Sequence, residues 1–304
     1  MKILNILFVF ILASSCMGFF RELAPNEKLD SIEIQNQKRT YIVHYPKGWN
    51  GSPIRLLVAL HGRFGSGNSM IKQTKLDLLA DRKGFIVVFP DGYKRSWADG
   101  RGNTPADENK INDITFIELL VKRLIAEGSV NPKEIFLVGH SNGGFMAQRL
   151  AVEKPELWKG VLSVAAQVSV FTLKRKLTLK SNPVSVGIMA GTEDPIVPFS
   201  GGYVRDGGEI LSVEDSILRW KEWNSCKEPA NQKTENYKEE STELKIDFIR
   251  YESCAENTKV GLIQLNGLGH SWPGETPMIP FIDQGKTTNV LDGSKLVWDF
   301  MESL

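Results

Sequence analysis

Short, continuously apolar runs alternate along the chain with longer stretches in which apolar residues recur every three or four positions. "IRLLVALHG", from Ile54, is apolar almost throughout, the pattern of a strand buried on both faces. "FIVVFPDG" from Phe85, "EIFLVGHS" from Glu134, "GVLSVAA" from Gly160, "VSVGIMAGTED" from Val184 and "KVGLIQLNGLGHSWPG" from Lys259 repeat it. Between and after them, helical spacing marks "DLLADRKG" from Asp77, "NDITFIELLVKRLIAEG" from Asn112, "NGGFMAQRLAVEKP" from Asn142, "SVEDSILRWKEWNSC" from Ser212 and "DGSKLVWDFMESL" from Asp292. In the second of these, Asn112 or Asp113 suits an N-cap and Gly128 a stop. "SIEIQNQKRTYIVHYP", from Ser31, alternates with period two and predicts an early antiparallel hairpin. Apolar strands separated by helices predict an α/β fold with a mostly parallel sheet covered on both faces. No proline-rich linker or internal repeat divides it, so residues 28–304 are expected to form one domain.

One junction in this pattern carries chemistry. In "FLVGHSNGGFMA", Phe136 to Ala147, an apolar run ends in a serine walled in by glycines and a helical run follows. Gly139-His140-Ser141-Asn142-Gly143 fits the G-x-S-x-G elbow, in which a sharp strand-to-helix turn exposes a nucleophilic serine. Glycine tolerates backbone angles that other residues avoid, which predicts that the flanking glycines permit the turn. The plain alternative is a strand-to-helix turn with a serine N-cap. A serine hydroxyl needs a base to take its proton, usually histidine. The chain has 4 histidines. His44 lies in the hairpin, His61 at a strand end and His140 inside the elbow, whereas His270 follows the last predicted strand. An elbow serine of this kind is followed along the chain by an acid and then the histidine, an order only His270 allows. The acid is expected at the end of "VGIMAGTEDPIVPF", as Asp194 or Glu193, with Pro195 stiffening the loop beyond Asp194. A developing oxyanion needs preorganised donors. The backbone N–H of Asn142, at a helix start, is one candidate, and that of Arg63 in "ALHGRFGSG" is the other.

Composition narrows the class. Lys+Arg total 37 and Asp+Glu 36, a net charge of +1 that argues against a nucleic-acid partner. No Cys/His spacing suggests a metal site, and no cofactor is implied. The N-terminus "MKILNILFVFILASSCMG" has one lysine, an apolar run from Ile3 to Ala13 and then small residues, the form of a signal peptide over residues 1–18. "LASSC" loosely resembles a lipobox, which would make Cys16 a lipid-modified terminus and the only membrane attachment; simple release is the alternative. Either way the protein is expected outside the cytoplasm, secreted, periplasmic or on the cell surface. An oxidising compartment suggests that Cys226 and Cys254 pair, tying down a polar surface excursion between them, with two free thiols as the alternative.

Five segments in order carry a family resemblance: "LHGRFGSG", "FPDGYKRSWADGRG", "VGHSNGGFMAQRLA", "AGTEDPIVPF" and "GHSWPG". Together, from about Gln37 to the C-terminus, they resemble the secreted polyhydroxybutyrate-depolymerase-like and feruloyl esterases, including the LpqC-type group. The resemblance implies the α/β-hydrolase fold and a catalytic triad of Ser141, Asp194 and His270, favouring Asp194 over Glu193. It also implies a disulfide between Cys226 and Cys254. Its members hydrolyse feruloyl or acetyl esters of xylan, short polyhydroxyalkanoates or small aryl esters, so a small or polymeric ester is the implied partner. Two departures are visible: Leu268-Gly269 precedes His270 where the family has more glycine, and Arg63 stands where a cysteine is frequent. Trp97 and Trp272 lie in shared segments and are candidate substrate-pocket walls, or else pack their loops onto the core. A non-catalytic binder on the same fold, or a peptidase with the same triad, are the competing functions.

Overall fold

The computed structural model describes residues 21–239, 242–275 and 282–304. The expected signal segment, with Cys16, lies outside the described residues. Among the described residues no helix is long and apolar enough to cross a membrane.

The expected hairpin opens the fold as β1 (Glu27–Ile34) and β2 (Gln37–His44). Its turn residues Gln35 and Asn36 have φ of 52° and 57°, the double positive φ that lets a two-residue turn follow the twist of the strands. The apolar runs become β3 (Ile54–Leu60), β4 (Ile86–Pro90), β5 (Val130–His140), β6 (Gly160–Val164), β7 (Ser185–Gly191) and, later, β12 (Val260–Leu265). A small ribbon, β8 (Gly202–Tyr203) and β9 (Glu209–Ile210), stands apart from the main sheet. Between the cysteines, the polar surface excursion takes the form of a long hairpin, β10 (Asn231–Glu239) and β11 (Thr242–Tyr251). β11 alternates: Leu244 and Ile246 are buried while Glu243 and Lys245 are exposed, and that period-two signal is what the charge-rich flank obscures. Cys226 and Cys254 are disulfide-bonded at the base of this hairpin.

The sheet has ten strands in the order β1-β2-β4-β3-β5-β6-β7-β12-β11-β10. From β4 to β12 neighbouring strands are parallel, with an antiparallel pair added at each edge. The outermost strand, "NQKTENYKE", is polar, which discourages edge-to-edge pairing with another chain. The predicted helices are α2 (Leu76–Lys83), α4 (Asp113–Ala126), α5 (Asn142–Glu153), α7 (Val213–Trp223) and α8 (Gly293–Glu302). Asn112, not Asp113, caps α4, its side chain accepting the Thr115 N–H at 3.1 Å. Three helices carried too little periodicity to be foreseen: α1 (Gly67–Thr74), α3 (Pro105–Glu108) and α6 (Val170–Leu179). Two apolar clusters fill the two faces of the sheet.

β3 is flanked by β4 on one side and β5 on the other, so the connections diverge between β3 and β5. In an open α/β sheet the crevice outside the carboxyl ends at such a divergence is where ligands bind. The loop after β3 and the serine after β5 both open onto it.

Candidate active site

Ser141 sits between the end of β5 and the start of α5 with φ 55° and ψ −121°, a conformation an L-residue adopts only at a cost. The surroundings hold it there: its N–H donates to the Val164 carbonyl at 2.8 Å, and its carbonyl accepts the Phe145 N–H at 2.9 Å. The flanking glycines serve differently from the expectation. Neither has positive φ; what they supply is space. A Cβ on Gly139 would lie 2.0 Å from the Gly143 carbonyl oxygen, and one on Gly143 would lie 2.5 Å from the carbonyl oxygens of both Leu60 and His61. The strain falls on the serine, and the glycines let α5 close against β5 and β3.

His270 and Asp194 arrive from the neighbouring strand ends. Nε2 of His270 is 2.8 Å from Ser141 Oγ, and Nδ1 is 2.7 Å from Asp194 Oδ2. An ionised carboxylate only accepts, so Nδ1 carries the proton and Nε2 is left free to accept from the serine hydroxyl. Oδ1 of Asp194 accepts the N–H groups of Ile196 and Val197, both at 2.8 Å, which fixes the carboxylate after the strand β7. Asp194 is buried and hydrogen-bonded to the imidazole, whereas Glu193 is exposed and has no hydrogen bond to it. His270 itself is held through its backbone, its N–H donating to the Gln284 carbonyl at 2.6 Å. The single glycine retained before it is needed: a Cβ on Gly269 would lie 2.0 Å from that same carbonyl oxygen.

The other two nearby histidines are structural. His140 donates from Nε2 to the His270 carbonyl at 2.9 Å, tying the elbow to the loop that carries His270. Burial first, and then the neighbouring His270, lower its pKa to about 4. His61 Nε2 accepts the Gly92 N–H at 2.9 Å, so its proton is on Nδ1, which donates to the Gly62 carbonyl at 2.7 Å. Burial lowers its pKa to about 4 as well, so it braces the loop after β3 as a neutral ring.

That loop lies against the serine: a Cβ on Gly62 would be 3.4 Å from Ser141 Cβ. Among the described residues, the backbone N–H groups of Arg63 and Asn142 donate to no protein acceptor. The side chain of Asn142 is fully engaged elsewhere, accepting the Trp97 N–H at 2.8 Å and donating to the Trp97 carbonyl at 3.0 Å and to Asp99 at 2.7 Å.

Above Ser141 opens a cavity of about 320 Å³, walled by Phe64, Ile196 and Ile282, with Gln73, Arg63, Arg205 and Asp206 supplying polar groups. Trp97 and Trp272 are not among its walls. Both are essentially fully buried. Trp97 donates from Nε1 to the His61 carbonyl at 2.9 Å, and Trp272 packs edge-on to His140. Each large ring supports a loop that carries site residues, and the packing alternative is the observed one. The actual walls come from distant loops with no shared pattern, so nothing in the sequence singled out Phe64, Ile196, Arg205 or Ile282.

An elbow serine, a histidine and an aspartate in one hydrogen-bonded line at the switch point of a parallel sheet is an arrangement shared with esterases, and the relatives agree. Residues 39–175 match the esterase PHB depolymerase family. The chain is 27% identical to NocK of Nocardia uniformis subsp. tsuyamanensis, named as an esterase, over 89% of this chain and 81% of that protein. It is also 27% identical to feruloyl esterase B of Piromyces equi over 77% of this chain, but spans only 42% of that longer protein. The acetyl xylan esterase from Aspergillus awamori superposes with a TM-score of 0.55 at 15% identity, covering 81% of this chain and 94% of that one. The α/β-hydrolase fold expected from the resemblance is therefore borne out, and the relationships place the chain among carboxylic-ester hydrolases.

Proposed function

We propose that this protein is an exported serine ester hydrolase working through an acyl-enzyme on Ser141. The observation that carries the reading is the continuous line Ser141–His270–Asp194, at 2.8 and 2.7 Å, on the floor of the cavity. In this reading His270 Nε2 takes the hydroxyl proton as Oγ attacks the ester carbonyl carbon. The carbonyl oxygen gains negative charge and accepts from the N–H groups of Asn142 and Arg63, the first of them at the N-terminus of α5, where the helix dipole favours an anion. Asp194 stabilises the imidazolium without taking its proton. The imidazolium then protonates the departing alkoxide, and a water repeats the sequence to free the acid and restore the serine.

The substrates proposed are feruloyl or acetyl esters of plant polysaccharide, or short hydroxyalkanoate esters; feruloyl esterase B of Piromyces equi and the acetyl xylan esterase of Aspergillus awamori support the first two by name. Export is supported by the disulfide, which persists in an oxidising compartment. The deciding experiment is turnover of p-nitrophenyl acetate, methyl ferulate, acetylated xylan and a hydroxybutyrate oligomer by wild type and Ser141→Ala. Wild type should hydrolyse at least one of them and the folded variant none, a loss on the order of 10⁴–10⁶. Equal turnover by the variant would remove Ser141 from the reaction.

A further inference from the structure

The cavity over Ser141 holds a charge that ester hydrolysis does not require. Three of its lining residues carry a fixed charge: Arg63, Arg205 and Asp206. The Asp206 carboxylate is already neutralised, Oδ2 accepting from Arg63 at 2.7 Å and Oδ1 from Arg101 at 3.3 Å. Arg101 is itself committed to Asp99, reached by NH2 at 2.9 Å and by Nε at 3.1 Å. Among the described residues no carboxylate lies within ion-pairing distance of Arg205. One guanidinium is thus left over at the mouth of the site.

An exposed arginine is ordinarily a solvated surface charge, but two observations set this one apart. It stands on the wall of the cavity that contains Ser141 and His270, among the apolar side chains of Phe64, Ile196 and Ile282. Its backbone is also tied to the site: the Arg205 N–H donates to the Ile196 carbonyl at 2.9 Å, and the Ile196 N–H donates to Asp194 Oδ1 at 2.8 Å. The residue bearing the spare cation therefore hangs from the loop that orients His270. A guanidinium matches a carboxylate with two parallel donors, and bound substrate would shield the pair from water.

We propose that Arg205 recognises a free carboxylate on the substrate, so that preferred substrates are esters carrying an acid group in addition to the scissile bond. This rests on the serine-esterase reading above. The test is kcat/KM of the whole protein on 4-acetoxybutyrate, with its carboxylate in the alcohol half, and on monoethyl glutarate, with its carboxylate in the acyl half. Butyl acetate and ethyl valerate are the neutral counterparts. At least one charged ester should exceed its counterpart by roughly three- to tenfold, and which one does so identifies the half that faces Arg205. Added salt should erode the preference. Arg205→Gln should bring the ratio of charged to neutral ester, each measured on the same variant, to about one, and Arg205→Lys should keep part of the preference. Wild type that hydrolyses charged and neutral esters alike, or Arg205→Gln with the preference intact, overturns this proposal and leaves the esterase reading standing. Failure of wild type on all four esters, charged and neutral, counts against both.

Discussion

Replacing Asp194 by asparagine should disable the site by turning a proton around, and the hydrogen bonds dictate how. Oδ1 of Asp194 accepts two backbone N–H groups, from Ile196 and Val197, at 2.8 Å each, while Oδ2 faces Nδ1 of His270 at 2.7 Å. In Asp194→Asn the amide oxygen must occupy the Oδ1 position, because an NH₂ group there would meet two other donors. The NH₂ is then forced to face Nδ1, which must become an acceptor, and the ring proton moves to Nε2. Nε2 lies 2.8 Å from Ser141 Oγ and, once protonated, cannot accept the serine proton. Loss of this orientation is worth roughly 10⁴-fold in kcat, on the order of 5 kcal/mol in the barrier. The side chain keeps its size and its two backbone bonds, so the variant should fold. The measurement is kcat/KM for p-nitrophenyl acetate at neutral pH beside a thermal melt of the same preparation. Glu193→Gln is the control: exposed and without a hydrogen bond to the imidazole, it should stay within about twofold of wild type. Folded Asp194→Asn retaining more than about a tenth of wild-type activity would refute the reasoning, as would a crippled Glu193→Gln.

Three further outcomes follow from the same geometry. Ser141→Gly should melt above Ser141→Ala, since glycine relieves the φ of 55° that alanine inherits at a cost of roughly 1–3 kcal/mol; equal melting temperatures would mean that the elbow stores no strain. Closing a loop with a separation of 28 residues is worth about 3–4 kcal/mol in the chain-entropy model, so Cys226→Ser/Cys254→Ser should unfold at clearly lower denaturant, and an unchanged midpoint would contradict this. His61 has a folded pKa near 4 against an ordinary value of 6.5, so the unfolded chain binds the extra proton and the stability that neutral His61 contributes is lost as pH falls from about 6.5 towards 4. His61→Gln should therefore be less stable than wild type at pH 7 by a gap that narrows towards pH 5, on the order of 1 kcal/mol per pH unit, and a constant gap would place the proton differently.

What could be read along the chain were features with a local cause. Runs such as "IRLLVAL" announce buried strands because a strand covered on both faces has no polar side. The elbow around Ser141 was legible because such a turn demands small residues at fixed spacing, although the reason for the glycines was not: a Cβ on Gly143 would collide with the carbonyls of Leu60 and His61, far away in sequence. His270 was found by elimination among 4 histidines, and the pairing of Cys226 with Cys254 by their number and setting. Only the tertiary structure could decide the rest. Glu193 and Asp194 are adjacent and chemically alike, and what separates them is which carboxylate the backbone of Ile196 and Val197 turns inward. Trp97 and Trp272 lie in segments that carry the resemblance, yet such a segment does not tell a ring that touches substrate from one that braces a loop; burial does. The cavity itself was invisible, since Phe64, Ile196, Arg205 and Ile282 come from separate loops that approach one another only once β3, β5, β7 and β12 lie side by side. Periodicity records the contacts of a residue with its own element, whereas a binding wall is made of contacts between elements, and those exist only after the sheet has formed.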